Sequence, residues 1–179
     1  MMRHLLRYLR AFAGRNEGVS AVEFALIAPI MLIFYLGVIE VSLALSVDRK
    51  VTSAASALAD LVAQDDVITD DEMDQILNAG PVIIAPNPAA PLQIRISSIS
   101  MNLIGEAEVD WSDSRGMTPL TEGARYTPPS GLLSPGRSLV MVEVTYLYES
   151  AFAEIGVGRF AIEETFYLRP RRSLVVSRQ

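Results

Sequence analysis

The sequence predicts an α+β protein in which a long N-terminal membrane-spanning helix continues into an extracytoplasmic domain built on a mainly antiparallel β-sheet. Three observations carry this. A basic opening stretch precedes an apolar run, Phe24 to Ile39, that holds no charged residue. Beyond it, Val51, Ala54, Ala55, Leu58, Leu61 and Val62 recur at helical spacing. The second half then holds segments that alternate apolar and polar residues between Gly- and Pro-rich stretches, the pattern of half-buried strands.

The membrane helix comes first. Arg3, Arg7, Arg10 and Arg15 face only Glu17 in the leader. With Val41 to Val47 added beyond Glu40, the apolar run exceeds the ~20 residues a helix needs to cross a bilayer. Arginines on the N-terminal flank place that end in the cytoplasm by the positive-inside bias, and Asp48-Arg49-Lys50 on the other flank is nearly balanced. A cleaved secretory signal competes, because Ser42-Leu43-Ala44 resembles a small-residue cleavage site; the long basic region and Glu40 stand against it. The resulting division is 1–18 basic cytoplasmic leader, 19–47 transmembrane helix, 48–80 extracytoplasmic helical region and 81–179 β-rich extracytoplasmic domain.

Composition narrows the chemistry. The 179 residues carry a formal net charge of -6, no cysteine and one histidine, His4, in the leader. Disulfides and thiolate metal sites are excluded, and a histidine base for hydrolysis is missing from the outer domain. No basic face for nucleic acid is evident. Glu143, Glu154, Glu163 and Glu164 are the carboxylates available for acid–base work, and no motif joins them. The expectation is a non-enzyme with no cofactor, metal, nucleic acid or small-molecule substrate.

Glu23 is the most informative residue. A carboxylate within hydrocarbon costs roughly 2.5–3.5 kcal/mol, so it sits at the interface or finds a partner. Cutting after Gly18 would make Val19 a new N-terminus, and the Glu23 carboxylate of one subunit could then meet the freed amine of another. The string Gly18-Val-Ser-Ala-Val-Glu23-Phe24-Ala-Leu-Ile-Ala-Pro29 resembles a type IV prepilin processing site. More narrowly, it is similar to the TadE-like minor pilins, or pseudopilins, of tight-adherence (Tad/Flp) pilus systems. That resemblance implies a pilin-like layout and a structural or assembly role in a surface pilus that serves adhesion or secretion. It implies cleavage after Gly18 by a membrane prepilin peptidase, with Val19, Glu23 and Phe24 completing the processing site. Other pilus subunits, the Tad assembly machinery and the lipid bilayer are the implied partners. The implied location is the bacterial inner membrane, crossed once, with the C-terminal domain in the periplasm. The alternative is an uncleaved single-pass membrane component of the same apparatus. Pro29, inside the helix, removes one backbone hydrogen bond and is a candidate kink.

The outer elements follow in order. An unbroken helix from Val19 to about Gln64 would run roughly 70 Å at 1.5 Å per residue. Thr69 and Glu72 form a capping box, with Asp70 and Asp71 in the first turn, which favours a helix start over a calcium loop. That helix is expected to stop at Gly80-Pro81, with a loop to Pro91. Leu92 to Ser100 reads as a strand, Gly105 as a turn, and Glu106 to Trp111 as the hairpin partner. Ser112 to Gly136 reads as a long loop. Ser138 to Tyr148 and Phe160 to Leu168 are further strands, the latter after a Gly156-Val-Gly158 turn. Trp111, Tyr126, Tyr146, Tyr148 and Tyr167 are expected in the core or on the sheet face, and the basic tail from Arg169 to Arg178 as a solvated end.

Overall fold

The computed structural model describes residues 17–150 and 158–179. The chain divides into two units, Met1–Ser42 and Leu43–Gln179. Its elements are α1 (Glu17–Gln64), β1 (Val67–Ile68), α2 (Asp70–Ile84), β2 (Leu92–Met101), β3 (Ala107–Arg115), β4 (Ser138–Glu149), β5 (Arg159–Leu168) and β6 (Ser177–Arg178). The α+β class with an antiparallel sheet is thus borne out.

In the second unit the β2–β5 sheet is four-stranded, in the order β3-β2-β4-β5, with every neighbouring pair antiparallel. One face carries Ile94, Ile96, Val140, Val142, Val144, Tyr146 and Ile162, which form a single core with Val51, Ala54, Ala55, Leu58, Ala59 and Val62 of α1. Those six α1 residues are all essentially inaccessible. The alanines at 54, 55 and 59 leave room for the helix to lie close on the sheet, and Leu58 fills the space between them. Leu61, placed in the same stripe by periodicity, is 41% exposed. The sheet takes the side of the helix that includes Ala59 and Ala63, so Leu61 falls just past its edge.

The opposite face is covered by the irregular segment between β3 and β4. Leu120, Ala124, Tyr126, Leu132 and Leu133 pack there on Ile99, Val109, Leu139 and Met141. The outer edge of β3 is also covered: Val109 N–H donates to Ala124 O (3.0 Å), and Tyr126 N–H to Ala107 O (2.9 Å).

A β-bulge lets β3 serve both cores. Ser98 pairs with Trp111 and Ile99 with Val109, so Asp110 is the extra residue. Val109 consequently faces the loop side while Trp111 faces α1. The Asp110 carboxylate accepts from Ser98 Oγ (3.0 Å) and Ser100 Oγ (2.5 Å).

Three expectations need correction. First, α2 does not stop at Gly80 but runs through Pro81 to Ile84. Gly80 is a packing glycine, since a Cβ there would lie 2.4 Å from Ile94 Cδ1. The helix ends at Ala85, which Pro86 holds in the extended region (ψ 144°). The Lys50 ammonium donates to the Ala85 carbonyl at 2.8 Å, a cation at a helix C-terminus. Second, β3 continues to Arg115, so the long loop begins at Gly116 rather than Ser112. Third, the basic tail is docked. Arg171 N–H donates to Ala63 O, Ser138 N–H donates to Leu174 O, and Val176 is fully buried. β6 then pairs with β1 in parallel. The expected turn at Gly156-Val157 falls outside the described residues.

The capping box forms as read. Thr69 N–H donates to Glu72 Oε2 (2.9 Å), and Glu72 N–H reaches Thr69 Oγ1 (3.4 Å). Hydrogen bonds from the Thr69 backbone and side chain hold the Glu72 carboxyl below the usual glutamate range.

Candidate membrane and assembly helix

The sequence-predicted site residues all lie on α1 within the first unit. Gly18, Val19, Glu23 and Phe24 are exposed, and nothing approaches within 4 Å of where a Gly18 Cβ would stand. Val19 and Glu23 are four residues apart, so they share one face of the helix, one above the other. Phe24 is the next residue round. Pro29 is helical and flanked by apolar residues on both sides.

What distinguishes this stretch is apolar exposure without a polar face. Val22, Phe24, Leu26, Ile30, Met31, Ile33, Phe34, Tyr35 and Val38 each leave more than half of their surface open. A soluble domain rarely exposes a continuous apolar surface of that extent, and a helix apolar all round belongs in a core or a bilayer. From Val19 to Ile39 the rise is roughly 30 Å, the thickness of a hydrocarbon core. The helix is long and apolar enough to cross a membrane, and its most apolar stretch is not buried against the rest of the protein. These features are compatible with a single-pass membrane protein. Glu23 stands about 6 Å along the axis from Val19 on this count. Glu40, which the sequence left without a role, is buried at 5% exposure.

Among the described residues, Glu143, Glu163 and Glu164 are not all on one face of the sheet. Glu143 is held by Arg95 in a two-pronged pair, Nε–Oε2 2.6 Å and Nη2–Oε1 2.7 Å, while Arg95 Nη1 donates to Thr118 O. That pairing raises the Arg95 pKa. Glu163 and Glu164 are neighbours on β5 and so point to opposite faces of the sheet. Glu154 lies outside the described residues. Trp111, Tyr146 and Tyr148 are buried as expected. Tyr126 and Tyr167 join hydroxyls at 2.8 Å beneath the covering loop, where burial and then that hydrogen bond push the Tyr126 phenol up.

Sequence reasoning missed the cation that locks the tail. Arg178 reaches Asp113 (Nε–Oδ2 2.8 Å) and Asp70 (Nη2–Oδ1 2.8 Å). The available signal was the lone tryptophan, whose indole N–H needs an acceptor when buried.

Residues 18–60 match the TadE-like protein family. No curated protein and no solved structure matches the chain. The matched segment begins at the expected processing glycine and ends at Asp60, within the part of α1 that packs on the sheet. It therefore covers the exposed apolar stretch together with much of the helical surface that packs on the sheet. Through this segment the chain is similar to a family of Tad pilus components, and the β-rich remainder lies outside the match.

Proposed function

We propose that this protein is a minor pilin of a Tad-type pilus, a structural subunit without catalytic activity. In this reading the N-terminal leader is cytoplasmic, residues 19–47 cross the membrane and residues 48–179 are periplasmic. A prepilin peptidase cuts after Gly18, and α1 then packs among the helices of other pilus subunits. The observation that supports it is the placement of Glu23 one turn from Val19 on an exposed, uniformly apolar helix, inside the residues that match the TadE-like family. Once Val19 is freed, its ammonium and the Glu23 carboxylate of a neighbouring copy neutralise one another, removing two charges that lipid disfavours.

N-terminal sequencing of the protein from membranes, with and without the peptidase, tests this. A mature chain starting at Val19 only when the peptidase is present is the expected result. Glu23→Gln should leave processing measurable while reducing incorporation into pili. A chain that keeps its first residues in both strains, in pili-competent cells, reduces the protein to a fixed membrane component of the apparatus.

A further inference from the structure

Lys50 ties the C-terminus of α2 to the level at which α1 leaves the bilayer in the proposed function. Its ammonium donates to the carbonyls of Ala85 (2.8 Å) and Ile84 (3.5 Å). A helical side chain leans toward the N-terminus of its own helix, so this ammonium stands over the preceding turn, beside Ser46 and Val47. The core reaches equally far. Val47 is buried, and Ala44, one turn earlier, packs against the same cluster. Both residues fall inside the 19–47 span, yet they belong to the same compact unit as α2 and the loop that follows it. Atoms of the outer domain therefore come down to the headgroup layer, which adds roughly 5–7 Å to each side of the hydrocarbon.

What the chain presents at this level suits lipid. Residues 75–94 hold no charge. Val82 is 74% exposed, and Pro86, Pro88, Ala89 and Ala90 are exposed as well. Leu147, 44% exposed, adjoins them, since its N–H donates to Pro91 O at 3.2 Å. The backbone of the loop also depends little on water. Pro86, Pro88 and Pro91 carry no N–H, and the N–H groups of Ala85 and Asn87 donate to Val82 O and Ile84 O within the turn. Partial removal from water therefore strands few polar groups. The Lys50 ammonium is directed at carbonyls, so the contact rests on apolar area rather than on attraction to phosphate.

We propose that segment 82–91 lies in the outer-leaflet interface, giving the domain a foothold in lipid besides the α1 span. The inference rests on residues 19–47 crossing the membrane. Its occupant is the bilayer surface, because α1 itself brings that surface to the level of the loop.

The chain has no cysteine, so single probes are easily placed. Full-length protein carrying Ala90→Cys, Ile33→Cys or Gln64→Cys is labelled with a fluorophore and reconstituted into phosphatidylcholine vesicles. Quenching is read with nitroxide lipids labelled either beside the headgroup or at the end of the acyl chain. The probe at position 90 is expected to respond to the headgroup-level label more than to the deep one, as a segment about 5–10 Å into the boundary does. High salt should leave that response unchanged. The probe at position 33 should respond most to the deep label. The probe at position 64, about 25 Å further along α1 than Val47, should respond to neither. Val82→Asp with Ala89→Asp should lower quenching at position 90 to the level at position 64, whereas Ala89→Leu should raise it, a pair of opposite shifts that a folding defect would not produce.

An unquenched probe at position 90 beside a deeply quenched one at position 33 overturns the proposal and leaves the span standing. So does quenching indifferent to the paired aspartates. Shielding of position 90 in cell membranes but not in lipid vesicles marks a protein partner and overturns it as well. A probe at position 33 beyond reach of both labels removes the span, and this inference with it. None of these readouts depends on whether Gly18 is cut.

Discussion

The indole N–H of Trp111 donates a 2.8 Å hydrogen bond to the carbonyl of Val176, joining β3 to a segment 65 residues further along the chain. Both residues are buried, at 4% and 0% exposure. Trp111→Phe keeps most of the ring's packing but leaves the Val176 carbonyl without its donor, a cost of about 1–3 kcal/mol. Trp111→Ala adds a cavity and should cost about 3–5 kcal/mol. Denaturant unfolding of the purified protein, followed by near-ultraviolet circular dichroism, measures both.

Arg95 and Glu143 face each other across β2 and β4 with about a fifth of each side chain exposed. Removing one partner strands the other's charge under the loop, so Arg95→Met should destabilise by about 1–3 kcal/mol, less than for a fully dry pair. Replacing both, as Arg95→Met with Glu143→Leu, should recover most of that loss. The double-mutant cycle by urea unfolding gives the coupling directly.

Gly80 and Ile94 make a second cycle. An added methyl at position 80 collides with Ile94 Cδ1, so Gly80→Ala alone should destabilise. In an Ile94→Val background the colliding carbon is gone. The helix-propensity gain of about 1 kcal/mol for alanine over glycine should then emerge, reversing the sign of the substitution. Thermal melts of the four proteins in the cycle report it.

Thr69→Ala should cost about 1 kcal/mol by removing the N-cap of α2. The partner acid gives a pH signature. The Glu72 carboxyl titrates lower in the fold than its unfolded value of about 4.3. The unfolded chain therefore binds the proton first, and the contribution of Glu72 is complete above that pH and is lost as pH falls through the folded value. Comparing wild type with Glu72→Ala should show a stability gap near neutrality that closes on acidification below about pH 4.

The elements legible in the sequence are those whose own side chains are apolar and β-prone between clear turn signals. β2 and β5 read correctly because apolar residues alternate along much of their length, β4 because the apolar run Leu139 to Val142, buried on both faces, leads into an alternating stretch, and the Thr69–Glu72 cap because its chemistry is local. What escaped depends on contacts distant in sequence. Nothing near Gly80-Pro81 reveals that Ile94 needs the space a side chain would take, so the glycine reads as a stop signal. The two-residue strands β1 and β6 have no period at all, and the tail is basic enough to pass for a solvated end until Asp70 and Asp113 are seen around Arg178. Leu61 illustrates the limit of periodicity: spacing fixes an angle on the helix but not the width of the surface that covers it. In the membrane segment the apolar run and Glu23 were plain, because a bilayer demands composition and length rather than partners.

The bulge gives the β2–β3 hairpin one residue more than its pairing needs. Deleting Asp110 would set Val109 directly beside Trp111 in ordinary alternation, so each would keep its side of the sheet, and the loss would be the carboxylate that accepts from Ser98 and Ser100. Deleting Glu108 instead would turn Ala107 to the opposite face and slip the pairing beyond Ile99 by one residue. Of the two single deletions, the one at Asp110 should therefore cost less in urea unfolding.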